Sequence, residues 1–294
     1  MNKNIHKGNF RDYLQLMRVD KPIGILLLLW PTLWSLWLAA EGVPSLKNLV
    51  IFTLGCVLMR SAGCVINDYA DRDFDKHVHR TRERPVTAGR IKPTHALLLF
   101  AVLCVLALGL VLLTNALTIK LAVVAVALTA IYPYCKRHTH LPQIVLGAAF
   151  AWAIPMAWAA QKGTLAPTVW VIYCTAVLWT LVYDTFYAMV DREDDIKIGI
   201  RSTAILFGES DRTITSVLQS LVILSLLLVG QKCHLHWPYF LSVVIAAALF
   251  GWQQHLIKNR EPAACFRAFL HNNWVGMVIF AGIAGSYALP VMIP

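Results

Sequence analysis

Nine apolar stretches, a charged share of only 14% and a one-sided distribution of Lys and Arg predict an all-α, polytopic membrane protein. Of the 294 residues 58% are apolar, and the mean hydropathy is +0.61. A soluble chain of this length carries about 25% charged residues. Apart from two long loops the connections are short, so residues 1–294 read as a single transmembrane domain.

The opening segment, MNKNIHKGNFRDYLQLMRVDK, is mixed and polar. It lacks the apolar core and small-residue cleavage site of a signal peptide and is expected to stay on the mature protein. Spans are then expected at 22–40, 47–66, 94–113, 116–134, 142–160, 167–188, 214–230, 237–253 and 273–292. EGVPS, KGTLAP and CHLHWP supply the Gly and Pro of turns between them. Each span must be helical, because lipid offers no partner to backbone N–H and C=O groups. The seven cysteines show no CxxC or metal-ligand spacing and read as small apolar residues.

The net charge of +10 follows from topology, with no need of a nucleic-acid partner. Of the 26 Lys and Arg, 21 fall in the N-terminal segment and in alternate connections. The opposite connections hold Lys47, Lys120, Lys162 and Lys232, and Arg60 alone lies inside a span. The Lys- and Arg-rich side is therefore expected to be cytoplasmic. Arg60, about two turns before Asp68, is costly in an apolar run and is a candidate to snorkel or to pair with an aspartate.

Two acidic clusters lie on that side: NDYADRDFD at 67–75, after the second span, and DREDD at 191–195, after the sixth. If the second span runs on as a helix, Asp68, Asp71 and Asp75 fall within about 60° of one face, and Asp73 points elsewhere. Asp191 and Asp195 form an i, i+4 pair, with Asp194 beside them. Like charges 4 Å apart cost roughly 4 kcal/mol per pair at an effective dielectric near 20, so something cationic must offset them. One acidic run after a membrane helix is ordinarily a solvated loop; two with helical spacing on one side argue for a shared ligand. Mg²⁺ suits the oxygen donors and keeps positions open for substrate phosphates. The expected metal ligands are Asp68, Asp71, Asp75, Asp191 and Asp195. Asn67, Arg72, Lys136, Arg137 and Lys197 are available to the diphosphate or to the rest of the substrate. A diphosphate beside an apolar interior implies a lipid-linked substrate. Loss of diphosphate from an allylic isoprenoid leaves a carbocation that needs a dry, aromatic-lined pocket. Trp152, Trp158, Trp170, Trp179, Tyr183, Phe186 and Tyr187 are candidates for it, though most such rings serve packing or the interfacial belt. His77 and His79 do not share a helical face, and imidazole suits Mg²⁺ poorly.

The two clusters resemble the NDxxDxxxD and DxxxD motifs of the UbiA-type intramembrane aromatic prenyltransferases. RVDKPIGILLLLWPTLW, RPVTAG at 84–89, YPYCKR at 132–137, LPQIVLGAAFAWAIPMA and DDIKIGIRSTAILFG extend the likeness over nearly the whole chain. The resemblance implies nine transmembrane helices around a central cavity, capped by the cytoplasmic loops, in a bacterial inner membrane. It implies Mg²⁺, a polyprenyl diphosphate donor and prenylation of a ring carbon ortho to a phenol. The branch that uses 4-hydroxybenzoate, in ubiquinone biosynthesis, is the nearest match. Asn67, Asp68, Asp71, Asp75, Asp191 and Asp195 then serve the Mg²⁺–diphosphate site, and Lys136 and Arg137 are the basic pair at the cavity mouth. Arg137, with its guanidinium fork, is the candidate for the benzoate carboxylate. Asp191 is a candidate base for the phenol, a role that competes with metal binding.

Two rivals belong to other classes. An ion-coupled transporter also uses membrane-embedded acids, but near the bilayer midplane, whereas these sit at one surface. Phosphotransferases acting on CDP-activated alcohols need a compact motif with DG and AR, which is absent. No GxGxxG, P-loop or HExxH is present.

Overall fold

The structure, a computed structural model, describes residues 9–76 and 81–289, with the backbone alone for 132–134, 136–138 and 198. Regular structure among the described residues is all helical. A short α1 (Phe10–Leu16) leads into α2 (Ile23–Ala40), α3 (Leu46–Asp75), α4 (Pro93–Leu112) and α5 (Ala116–His138). Then come α6 (Pro142–Ala151), α7 (Ala153–Lys162), α8 (Pro167–Ile198) and α9 (Thr203–Phe207). The chain ends with α10 (Asp211–Lys232), α11 (Trp237–Leu256) and α12 (Pro262–Ala288). Among the described residues eight helical segments are long and apolar enough to cross a bilayer, with α6 and α7 counting as one; Ala116–Ile131 is a shorter apolar helix. These match the nine expected spans in order.

The differences lie at the ends and have local causes. The fifth span breaks at Trp152, because Pro155 has no N–H to give the carbonyl of Ala151 and its ring crowds that turn. The last span begins at Pro262, not 273, so most of the expected 254–272 loop is helix. Arg267 and His271 sit on a helix whose other face buries Ala264, Cys265, Ala268 and Asn272. Both acidic "loops" likewise start as continuations of membrane helices.

Aromatic rings join the central helices α2, α8 and α12. Trp34 stacks on Trp179 at 5.3 Å, and Tyr183 meets Trp179 edge-on at 5.5 Å. Buried indole N–H groups need acceptors: Trp34 Nε1 donates to the Gly276 carbonyl and Trp179 Nε1 to Asn272 Oδ1. Position 276 must be small, since a Cβ there would lie 2.6 Å from Trp30 and 2.8 Å from Trp179. By contrast α4 exposes Leu98, Val102, Val105 and Leu106, the face suited to lipid.

Side-chain contacts sort the helix ends into two groups. Asn48, Asn115 and Glu41 bond to Gln161, Ala159 and Lys162 respectively, so the 41–48, 113–116 and 159–165 turns lie together. At the other end Asp12 meets Arg90, Gln143 meets Thr203, and Asp211 meets Arg260. Both acidic motifs belong to this second end, where the Lys- and Arg-rich connections also gather.

Candidate functional site

Because α3 stays helical to Asp75, its heptad-like spacing decides which carboxylates turn inward. Asp68, Asp71 and Asp75 are 1%, 9% and 6% exposed, whereas Asp73 faces solvent and pairs with Lys76 at 2.8 Å. Three buried acids on one face demand a counter-charge. In this structure Arg84 supplies much of it, reaching Asp75 Oδ2 at 2.7 Å and Asp68 Oδ1 at 3.1 Å. Arg18 adds a weaker contact to Asp68 at 3.4 Å. Thr81 Oγ1 donates to the Asp75 carbonyl, which holds the returning chain against the end of α3.

The second motif rides on the last turns of α8. Gly199, in the left-handed region at φ +73°, ends that helix, with the Ile200 N–H closing back on the Asp195 carbonyl. Asp191, Asp194 and Asp195 are half-buried, and Glu193 is exposed. Arg192 turns from its own motif to Asp211, at the start of α10, which is fully buried. Arg260 approaches both oxygens of Asp211 through Nε, at 3.0 and 3.1 Å.

A metal is tested by the oxygens left over. Among the described residues Asn67 Oδ1 and Asp68 Oδ2 are buried without a hydrogen-bond partner, which suits oxygen ligands awaiting a cation. Among the described residues no group of three acidic, His or Cys side chains stands close enough to hold a metal by itself. That is consistent with Mg²⁺, which takes one or two carboxylates and completes its shell with water and substrate phosphate. The residues thus fit a divalent ion that binds together with an anion.

Other expected residues fall apart from this centre. Arg72 lies over its neighbour Tyr69, 4.6 Å from the ring centroid, and donates to the Tyr69 carbonyl at 2.6 Å. Lys197 is largely exposed and pairs with Asp194 at 3.3 Å. The side chains of Lys136 and Arg137, and His77 and His79 entirely, lie outside the described residues. Arg60 is held under the first motif, its guanidinium 5.4 Å from the Phe150 ring and 3.0 Å from Cys64 Sγ. A Cβ at Gly24 would collide with that guanidinium, so the glycine makes the slot. Of the candidate aromatics Trp158, Trp179, Tyr183 and Phe186 are buried, while Trp170 is 41% exposed.

Arg18, Arg84, Asp211 and Arg260 were not singled out from sequence. Arg84 opens the RPVTAG stretch, yet eight residues of intervening chain hide its return to Asp75 from any helical periodicity. A cleft of about 310 Å³ beside the first motif is lined by Arg18, Lys21, Arg84 and Arg90, with Asp20 and Glu83.

The family model described as the UbiA prenyltransferase family matches residues 28–276. This chain belongs to that family. A protein of Ectopseudomonas mendocina named 4-hydroxybenzoate octaprenyltransferase is 59% identical over 95% of this chain and 94% of its own. One of the same name from Saccharophagus degradans is 60% identical over 94% and 93%. Among solved structures, the apo UbiA homolog from Aeropyrum pernix K1 superposes with a TM-score of 0.78. It is 21% identical and covers 88% of this chain and 96% of that one, a likeness of fold. A UbiA homolog from Archaeoglobus fulgidus, bound to GPP and Mg²⁺, gives 0.68 at 19% identity over 93% and 99%. The chain is a membrane-embedded prenyltransferase.

Proposed function

We propose that this enzyme transfers a polyprenyl group from polyprenyl diphosphate to the ring carbon ortho to the phenol of 4-hydroxybenzoate. The products are 3-polyprenyl-4-hydroxybenzoate and diphosphate, a step of ubiquinone biosynthesis at the cytoplasmic face of the inner membrane. The reading is carried by near-full-length identity of 59–60% to relatives bearing that activity in their names. Those names also point to an octaprenyl chain. The buried face Asp68, Asp71 and Asp75 supports it, since three inward carboxylates beside a basic cleft suit a metal diphosphate.

Bound Mg²⁺ would supply the positive charge that lets diphosphate depart. Asp71, Asp75, Asp191 and Asp195, with Asp68, would hold that ion, and Asn67 would offer a neutral oxygen. Arg84 and Arg18, with Lys136 and Arg137 as the basic pair that the family resemblance implies, would meet phosphate oxygens. The donor's C–O bond breaks, a C–C bond forms at the ring, and the ring proton leaves. Asp191 would draw the phenolic proton and raise the ring's nucleophilicity, while Arg137 orients the carboxylate. Buried aromatic surface would keep water from the allylic cation.

Membranes carrying the protein, given 4-hydroxybenzoate, homogentisate or dihydroxynaphthoate with octaprenyl diphosphate and Mg²⁺, test the reading by mass spectrometry. The expected product is ring-prenylated 4-hydroxybenzoate alone. Prenylation of another acceptor in its place would overturn the assignment.

A further inference from the structure

We infer that Asp211 is a positioning residue for the second acidic motif, keeping the Arg192 guanidinium from neutralising Asp191 and Asp195. The inference rests on the proposal that these two carboxylates serve a divalent cation.

Arg192 sits inside DREDD, with Asp191 next to it and Asp195 at i+3, the spacing at which opposite charges on a helix pair. Its guanidinium instead leaves α8 for Asp211 on α10, with a second, longer contact to the Gly208 carbonyl at 3.5 Å. Asp211 does not need it. Its buried carboxylate already has Arg260 Nε at both oxygens and the Arg212 backbone N–H at 2.6 Å. Arg260 is itself fixed: in the α11–α12 connection it takes the left-handed region at φ 56°, costly for a residue with a Cβ, and its Nη2 donates to the Glu209 carbonyl at 2.6 Å. The cluster is thus a rigid acceptor with room for one more cation, and the cation it takes is the motif's own arginine. Without Asp211, Arg192 would relax onto the adjacent carboxylates and compete with any metal for them.

Groups just outside a metal's ligand shell typically change its affinity about 10–100-fold. The test uses full-length protein in detergent, Mn²⁺ as an EPR-visible probe and inorganic diphosphate as the anion. Asp211→Asn should weaken Mn²⁺ binding about tenfold. Adding Arg192→Gln to it should bring affinity back to within about threefold of wild type, because the competing charge is gone. A purely structural brace predicts the reverse, with the double variant binding no better than the single one while both melt early. Should Asp211→Asn fail to fold, Arg192→Gln alone decides: undiminished Mn²⁺ affinity upholds the inference and a tenfold loss overturns it. Wild-type protein that holds no Mn²⁺ with diphosphate present overturns it too. No prenyl donor is involved, so a wrong acceptor or a failed prenylation assay leaves the result intact.

Discussion

The two acidic motifs solve one electrostatic problem in opposite ways. On α3 the carboxylates are buried and an outside arginine is brought to them, Arg84 bridging Asp68 and Asp75. On α8 they are half-buried, and the arginine within the motif is taken away, to Asp211. A buried charge must be paired or it destabilises the fold, whereas a half-solvated one can be held by water. The first motif therefore carries a resident arginine, whereas the second has its own arginine drawn off to Asp211. In the proposed site the two halves differ in which arginine must move before a metal diphosphate binds.

The largest effect should come from removing ligand charge itself. Asp71→Asn and Asp191→Asn are each expected to abolish turnover while the protein still inserts and folds. If either kept near-normal rates at limiting Mg²⁺, that residue would lose its metal role, and the symmetry between the motifs would fall with it. Next comes Arg84→Ala, which takes the arginine from buried Asp75 and leaves Asp68 with the weaker Arg18 contact. Breaking a buried pair from one side costs about 3–5 kcal/mol, so a clear drop in melting temperature is expected in detergent. The sharper readout is its dependence on ions. Mg²⁺ with diphosphate should restabilise Arg84→Ala more than wild type, since it fills the vacated role. Equal restabilisation of both would mean that Arg84 and the metal do not share the carboxylates.

How much of this was legible beforehand follows the range of the forces involved. The helices and their order could be read because lipid forces every span to be helical and apolar. The inward face of the first motif could be read because 3.6-residue periodicity fixes Asp68, Asp71 and Asp75 together and sends Asp73 outward. The start of α12 at Pro262 could not, since its charged residues share a helix with a buried stripe that only tertiary packing reveals. Arg84 and Asp211 were hidden for a related reason. Each acts on a residue brought near by chain reversal, and a lone Arg or Asp in a connecting segment carries no periodic signal.

The acceptor end tests a different part of the comparison. Arg137→Ala is expected to raise KM for 4-hydroxybenzoate by about tenfold, the value of one charge-assisted contact, with kcat less affected. An unchanged KM would remove Arg137 from the carboxylate and point to another cation at that end. Arg60, held in its Gly24 slot beneath the first motif, is the next side chain to change.

The smallest effect is expected at Lys197, the cation at the end of the second motif. Its ion pair with Asp194, at 3.3 Å, is largely exposed, so screening and side-chain entropy leave it about 0–1 kcal/mol. Lys197→Ala should therefore melt within a degree or two of wild type, and KM for polyprenyl diphosphate should stay within about twofold. A tenfold rise in that KM at unchanged melting would show that Lys197 swings onto the phosphate when the donor binds. The second motif would then bring its own cation to the ligand, as Arg84 does for the first, and the contrast between the two halves would apply only to the empty enzyme.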